Sequence, residues 1–377
     1  MNAKQVVAQS FNQIADDILS GNYAPKVRIA LTTIGSEHDD KIWDQVASLI
    51  NKKEYKPLII GKKVGDLEHY QADTLEDAHL IMNKLFADNK IDGAVTLHYD
   101  FPIGVSTVGK VITPALGKEM FIATTTGTTA INRVEAMVKN AIIGIATAKA
   151  NGISEPTLGI LNIEGARQVE KLLKELNDNG YHINFATSAR VDGGCVMRGN
   201  DLLMGVPDVM VCDSLTGNLL IKVFSAFNSG GNYETTGAGY GPGLPTTEET
   251  NINLINIISR ASGAPLIAQA LSLCAKSASN KIIDINHKEF QKAGQAGLND
   301  LFCSVNQAKS DKLQQVKVPT KEIVTYQISG IDILEIEEAC QKLWQENIYA
   351  ETGMGCTGPI ILVSDVNADK AKQILNM

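Results

Sequence analysis

Apolar residues recur along this chain with two spacings. The runs VRIALTTIG (27–35), KPLIIG (56–61) and DGAVTLHY (92–99) are almost continuously apolar. The stretches HDDKIWDQVASLI and TLEDAHLIMNKLFADN (74–89) instead repeat apolar positions every three or four residues. Continuous runs of this length predict strands buried on both faces, and the wider spacing predicts helices that cover them. The first 22 residues read as an amphipathic helix, with Val6, Phe11, Ile14 and Ile18 near one face. The pattern restarts at PTLGILNIEG (156–165), followed by a helix at 166–179, HINFATSA (182–189) and DVMVCDS (208–214). A long helical stretch is expected over about 246–277. Alternation of this kind marks α/β units around a mostly parallel sheet.

Past VKVPTKE the rhythm changes. EIVTYQISG predicts a strand, DILEIEEACQKLWQEN a helix, IYAETGMG and IILVSD strands, and NADKAKQIL a last helix. The domain organisation expected is an α/β domain over 1–150, completed by 246–310, and a second α/β domain over 151–245. A small β-α-β-β-α unit follows over 320–377.

Composition narrows the function classes. The 377 residues are 44% hydrophobic and 20% charged, with mean hydropathy −0.02, which suits a soluble globular protein. A net charge of −8 argues against a nucleic-acid partner, which wants a basic face. Phosphate can still be held locally by backbone N–H groups and one or two arginines. No signal-peptide core and no run of 18 apolar residues occurs, so neither secretion nor a membrane span is expected. Six cysteines and six histidines lack the spacing of a disulfide framework or a metal site, and no cofactor is expected. The reducing cytoplasm is the expected compartment.

Four segments rich in Gly, Ser and Thr read as ligand loops, since open α/β sheets bind ligands where strands hand over to helix N-termini. GVSTVGKV (104–111) is close to a phosphate-binding P-loop, but Val111 stands where a metal-binding hydroxyl is required. It leaves Ser106 and Thr107 as anion-orienting candidates. ATTTGTTAINR (123–133) reads as a polar turn ending in Arg133. SGGNYETTGAGYGPG (229–243) reads as a surface loop or a lid. SRASG (259–263) reads as a break within a helical stretch that exposes Arg260.

The segments ILNIEG, INFATSA and VCDSLTGNLLIK (211–222) resemble the PlsX-type phosphate acyltransferases. Ser259-Arg260-Ala261 and Asp213-Ser214-Leu215-Thr216-Gly217-Asn218 look like two motifs of the phosphate acetyltransferases, the first of them phosphate-contacting. The resemblance covers roughly 90–310. It implies a two-domain, three-layer α/β fold of the isocitrate-dehydrogenase-like kind, here with a small C-terminal α+β unit, and interconversion of acyl thioesters and acyl phosphates. Ser259, Arg260, Arg133 and Asn218 then become phosphate- or carbonyl-binding candidates. Leu266 stands where the acetyltransferases carry a general-base Asp, so that base has no counterpart here.

Over the whole chain, including GMGCTGP, the resemblance is to the alpha subunits of component C of glycine/sarcosine/betaine reductase. That resemblance implies an acetyl thioester on Cys356 passed to phosphate as acetyl phosphate. It also implies a component C beta subunit and a selenoprotein A as partners, within an oligomer. Read from residues alone, Cys356 is either in a plain turn or displayed for chemistry. Gly353, Gly355 and Gly358 would let backbone N–H groups form a nest that favours its thiolate. Two alternatives stay open: a PlsX-type enzyme or phosphate acetyltransferase using acyl carrier protein or coenzyme A thioesters, and a non-catalytic acyl- or phosphate-binding subunit. Among the other cysteines, Cys212, Cys274 and Cys340 read as core, Cys303 is unassigned, and Cys195, after two glycines, reads as structural or as a second reactive thiol. His98, at a strand end beside the first loop, is the one histidine near the proposed cleft.

Overall fold

The structure, a computed structural model, describes residues 26–191, 193–228, 241–246, 252–303, 318–329, 336–355 and 358–375, together with 11, 12 and 15. The helix expected over the first 22 residues otherwise lies outside these. The chain divides into two compact units, Met1–Leu298 and Asn299–Met377.

In the first unit, β1 (Arg28–Thr32), β2 (Lys56–Ile60), β3 (Glu68–Tyr70) and β4 (Gly93–Thr96) form a parallel block, with α1 (Lys41–Leu49) and α2 (Leu75–Ala87) as crossovers. Their apolar runs are buried on both faces, as parallel strands under helices must be. α2 begins where Thr74 Oγ1 accepts the Asp77 N–H, with Glu76 and Asp77 in its first turn, a capped and dipole-matched start. Ala30, Leu58, Ile60, Ala78, Met82 and Leu85 form the core between α2 and the sheet.

A second parallel block contains β6 (Glu119–Thr128), β7 (Thr157–Leu161), β8 (Asn184–Phe185), β9 (Val196–Met197) and β10 (Val209–Val211). Its helices are α3 (Arg133–Ala150), α4 (Ala166–Asp178), α5 (Gly199–Met204) and α6 (Ser214–Asn228). In α3, twelve of eighteen residues are buried, so this helix is apolar nearly all round and runs through the interior. A Cβ at Gly144 would sit 2.5 Å from Val209 Cγ1, so glycine is what lets α3 press onto the sheet.

Three strands join the blocks: β5 (Val105–Ile112), β11 (Gly241–Pro245) and β12 (Ile255–Ile257). The sheet order is β3-β2-β1-β4-β12-β11-β5-β6-β10-β7-β8, with β9 beside β7. β11 is antiparallel to both β12 and β5, and β5 is antiparallel to β6. The two parallel blocks therefore run in opposite senses. Two helices, α7 (Ala264–Ser279) and α8 (Ile282–Gln295), complete the described elements of this unit.

Three sequence expectations need correction. GVSTVGKV is not a loop: it is β5, with Ser106 and Thr107 buried in the sheet. ATTTGTTAINR is not one turn, because the strand runs on to Thr128 and Arg133 already opens α3. The helical stretch over 246–277 is interrupted, and SRASG lies between strand β12 and helix α7 rather than inside a helix. Small hydroxyl residues read as loop formers, yet in a sheet covered on both faces they pair their hydroxyls and are buried.

The second unit has β13 (Tyr326–Ser329), α9 (Ile336–Gln345), β14 (Ala350–Gly355), β15 (Gly358–Val363) and α10 (Ala368–Ile374). These are the five elements its sequence pattern predicts, with sheet order β13-β15-β14 and both pairings antiparallel. Its core packs Ile328, Ala339, Cys340, Leu343, Ile348, Ile361 and Val363.

Candidate active site

β12 ends at Ile257 and α7 begins at Ala264, with Pro265 in its first turn, where proline's missing N–H costs nothing. The intervening loop is fixed on both sides. Ser259 Oγ accepts the Ala261 N–H at 3.2 Å, and Ser259 O accepts the Ser262 N–H at 3.0 Å. From the loop after β1, the Glu37 N–H donates to Arg260 O at 3.0 Å, and His38 Nε2 lies 3.0 Å from Ala261 O. With its main chain held this way, Arg260 projects an exposed side chain that has no hydrogen-bond or ion-pair partner among the described residues. Ser262 is fully buried, and its Oγ has no partner there either. The first-turn N–H groups of the sixteen-residue α7 are the positive end of its dipole. The loop thus joins a free guanidinium and a helix N-terminus, the elements that hold a phosphate or carboxylate.

Neighbouring strand ends add hydroxyls that sequence reasoning passed over. Thr32 Oγ1 donates to Thr96 Oγ1 at 2.8 Å, and Thr96 Oγ1 to His98 O at 3.0 Å, in the buried sheet interior. Their signal was a threonine closing each of two apolar runs. His98 is half-exposed, with Nε2 3.5 Å from Asp100 Oδ1. Leu266 is half-buried in the first turn of α7.

A second cluster gathers the other predicted residues. Arg133 sits 2.7 Å from Glu164 Oε2 and 3.5 Å from Asp213 Oδ2, so two carboxylates already engage its charge. Asp213 also receives the Thr216 N–H and hydroxyl at the start of α6. Asn218 Nδ2 donates to Thr125 O at 3.0 Å. Thr107 Oγ1 pairs with Thr125 Oγ1 at 2.9 Å, and Ser106 Oγ accepts from Thr129, whose hydroxyl is also 2.6 Å from Asn140 Oδ1. A Cβ at Gly217 would lie 1.9 Å from Thr124 O, so the start of α6 packs directly onto β6.

Arg133 shares Asp213 with Thr216 at the start of α6, Asn218 and Thr107 meet at Thr125, and Ser106 is bonded to Thr129; Arg260 belongs to none of these groups. The register explains this. Ile257, at the end of β12, faces Gly241, whereas Pro245 faces Val105, which faces Thr128 at the end of β6. Arg260 and Arg133 therefore follow strands that end at opposite ends of β11, a step of roughly 14 Å.

The cysteines separate sharply. Cys212 and Cys274 are fully buried, and burial, the larger cause in each, pushes both thiols far above the ordinary range, with Asp213 and Asp92 adding to it. Cys195 is buried too. Burial first, and then the Glu170 carboxylate 3.5 Å from its Sγ, raise its pKa to about 11. Of the two roles left open for it, this environment fits the structural one, since a thiol this hard to ionise is a poor nucleophile. Cys340 is buried with Sγ 3.3 Å from Ala350 O. Cys303 is exposed. Cys356 lies outside the described residues, between Gly355 and Gly358, which are register partners in β14 and β15. Gly353 lies within β14, opposite Ile360, and the nest expected around Cys356 falls outside the described residues.

Among the described residues, no group of three or more His, Cys, Asp or Glu is placed to hold a metal ion, and no helix is long and apolar enough to cross a membrane.

The comparisons decide the family. Over 377 residues, 99% of this chain and 97% of the relative, the sequence is 50% identical to the glycine/sarcosine/betaine reductase complex component C subunit alpha of Peptoclostridium acidaminophilum. This chain belongs to that family. The family described as "Fatty acid synthesis protein" also matches, over residues 27–362. A phosphate acyltransferase of Thermotoga maritima is 25% identical over 234 residues, 56% of this chain and 68% of that one. A branched-chain phosphotransacylase from Enterococcus faecalis V583 aligns with a TM-score of 0.44 at 14% identity, covering 67% of this chain and 99% of that structure. The whole-chain resemblance that includes GMGCTGP thus holds over 99% of the chain, while the phosphate acyltransferase likeness covers about half of it.

Proposed function

We propose that this component C alpha-type chain transfers an acetyl group from a protein-bound thioester to inorganic phosphate, releasing acetyl phosphate within a cytoplasmic reductase complex. The observation that carries the reading is Arg260, exposed, without a partner among the described residues, and set at the amino end of α7. Such a guanidinium can form two parallel charge-assisted bonds to phosphate. Family membership supplies the acyl chemistry: its relatives include proteins named phosphate acyltransferases and a subunit of a reductase complex.

The thioester is assigned to Cys356. Four of the five described cysteines are buried, which removes them as acyl carriers and leaves Cys303 and Cys356. In the step itself, a phosphate oxygen attacks the thioester carbonyl carbon. The C–O bond forms, the C–S bond breaks, and the sulfur departs as thiolate, so acetyl phosphate and the free cysteine are the products. Arg260, Ser259 and the α7 N-terminus are the proposed phosphate-holding groups, and Gly355, next to Cys356 in sequence, is the residue proposed to accommodate the acyl group. Arg133, Asn218, Ser106 and Thr107 lie toward the far end of β11 from Arg260, so their part is to hold that strand framework rather than to touch this phosphate. The beta subunit and a selenoprotein are the proposed sources of the acyl group.

Intact mass after incubation with acetyl phosphate tests this reading, because the reverse reaction loads the thiol. One added acetyl group is expected, removable by hydroxylamine and absent in Cys356→Ser. Acetylation that persists in Cys356→Ser but vanishes in Cys303→Ser would move the thioester to Cys303. Turnover of coenzyme A or carrier-protein thioesters with both cysteines replaced would favour a PlsX-type reaction instead.

A further inference from the structure

One histidine reaches the loop that carries Arg260. β1 ends at Thr32, and Gly35, at φ +95°, turns the chain toward α1, which starts at Lys41. Between them, Glu37 and His38 meet the SRASG loop at two consecutive carbonyls. The Glu37 N–H donates to Arg260 O, and His38 Nε2 lies 3.0 Å from Ala261 O. Ser36 Oγ accepts the His38 N–H at 3.1 Å, which steadies the main chain behind the ring. A carbonyl oxygen can only accept, so Nε2 carries the hydrogen in this contact and the neutral ring keeps its lone pair on Nδ1. The half-buried imidazole therefore stands beside the residue that follows Arg260, in a tautomer able to take a proton. His98, by contrast, faces Asp100 from the connection after β4. Leu266, in the first turn of α7, has no proton to exchange.

We propose that His38 is the general base of the phosphate step, taking the proton from the phosphate hydroxyl that attacks the thioester. This inference rests on the acyl-transfer reading above and adds a proton path to it. As the new C–O bond forms, the phosphate O–H bond breaks and its proton passes to Nδ1. The C–S electron pair leaves with the sulfur. The products are acetyl phosphate, the cysteine thiolate and an imidazolium, which returns its proton to solvent. Bound phosphate supplies the negative charge that lets an imidazolium form near the Arg260 guanidinium. Of the two side-chain types brought to this loop, imidazole is better matched than a carboxylate to proton transfer near neutral pH.

Exchange of labelled inorganic phosphate into acetyl phosphate by the full-length chain tests the proposal. His38→Gln keeps a donor for Ala261 O but has no basic nitrogen, whereas His38→Ala removes both. Each should lose about 100-fold in kcat, with the KM for phosphate within about threefold of the parent value. Imidazole added to the buffer should restore His38→Ala saturably, and the melting temperature of His38→Gln should match the parent. Exchange at the parent rate in His38→Gln overturns the proposal, because donation to Ala261 O is then all the ring does. A KM raised about tenfold at unchanged kcat also overturns it, since His38 would then only position Arg260. So does a slow His38→Ala that imidazole leaves slow. A parent chain without exchange would instead overturn the acyl-transfer reading, and this inference with it.

Discussion

Thiol reactivity offers a direct check on the separation of the cysteines, because burial holds Cys195, Cys212 and Cys274 in the neutral form while Cys303 is exposed. The perturbation is a brief exposure of the folded chain to iodoacetamide at pH 8. An ordinary thiol of pKa ~8.5 is about one quarter thiolate there. Cys195, with its pKa raised to about 11 by burial and by Glu170, is only about one thousandth thiolate. Ionisation alone thus slows Cys195 roughly two-hundredfold relative to a normal exposed thiol, before restricted access is counted. Exposed Cys303 is the internal reference. Peptide mapping after quenching should find Cys303 modified, and Cys195, Cys212, Cys274 and Cys340 protected until denaturant is added. Modification of Cys195 within tenfold of the Cys303 rate in the folded protein would refute the reasoning. The same shifts set an alkaline stability limit. In the unfolded chain these thiols ionise near pH 8.5, while in the folded chain Cys195, Cys212 and Cys274 stay neutral. Above that pH the folded state holds more protons than the unfolded one. Stability is therefore complete below about pH 8.5 and falls as pH rises toward 11, by about 1.4 kcal/mol per pH unit for each thiol.

Two further outcomes follow from named contacts. Replacing Arg260 by Ala should raise the KM for phosphate about 10- to 100-fold, the equivalent of losing a charged hydrogen-bonding group worth about 1.5–3 kcal/mol. Its melting temperature should not move, because an exposed side chain without a partner among the described residues contributes within about 0.5 kcal/mol; an unchanged KM would dismiss Arg260 from the phosphate site. Glu289→Gln should destabilise the first unit by about 2–3 kcal/mol, read by chemical denaturation, since it strips a buried carboxylate from Lys149 at 2.9 Å and Lys292 at 3.1 Å. Burial alone would raise the Glu289 pKa, but the Lys149 and Lys292 contacts outweigh it and hold it below its usual value. Its contribution is thus present above the ordinary carboxylate pKa and is lost as pH falls through the lowered one, so the variant should show a weaker acid destabilisation than the parent.

The strands of the first parallel block, β7 and the C-terminal unit were legible from spacing alone, whereas β5 and β6 read as loops, β12 fell in an expected helical stretch, and α3, α6 and α8 carried no expectation. VRIALTT, KPLII and TLGIL announce strands because a strand buried on both faces must be apolar throughout, and that is a local property. The C-terminal unit was equally plain, with each of its five elements carrying its own period. The threonine- and glycine-rich strands β5 and β6 were misread because their burial comes from α6 lying across them. A Cβ at Gly109 would stand 2.1 Å from Ile221 Cδ1, so a residue more than a hundred positions away decides that glycine's setting.

The candidate site divides along the same line. Arg260 became a candidate through the resemblance of Ser259-Arg260-Ala261 to a phosphate-contacting motif, and its exposure beside α7 is compatible with that reading. What Arg133 does could not be read locally, because its partners Glu164 and Asp213 arrive from the ends of two other strands. The amino-acid sequence by itself determined the family, the elements with a clear period and which residues carry reactive groups, because periodicity and motif identity depend only on near neighbours. Tertiary structure alone decided that Arg260 and Arg133 belong to opposite ends of β11, that Cys195 is held neutral beside Glu170, and that His38 meets Ala261 O. Those outcomes depend on strand direction and burial, which are set by pairings between residues far apart in the chain.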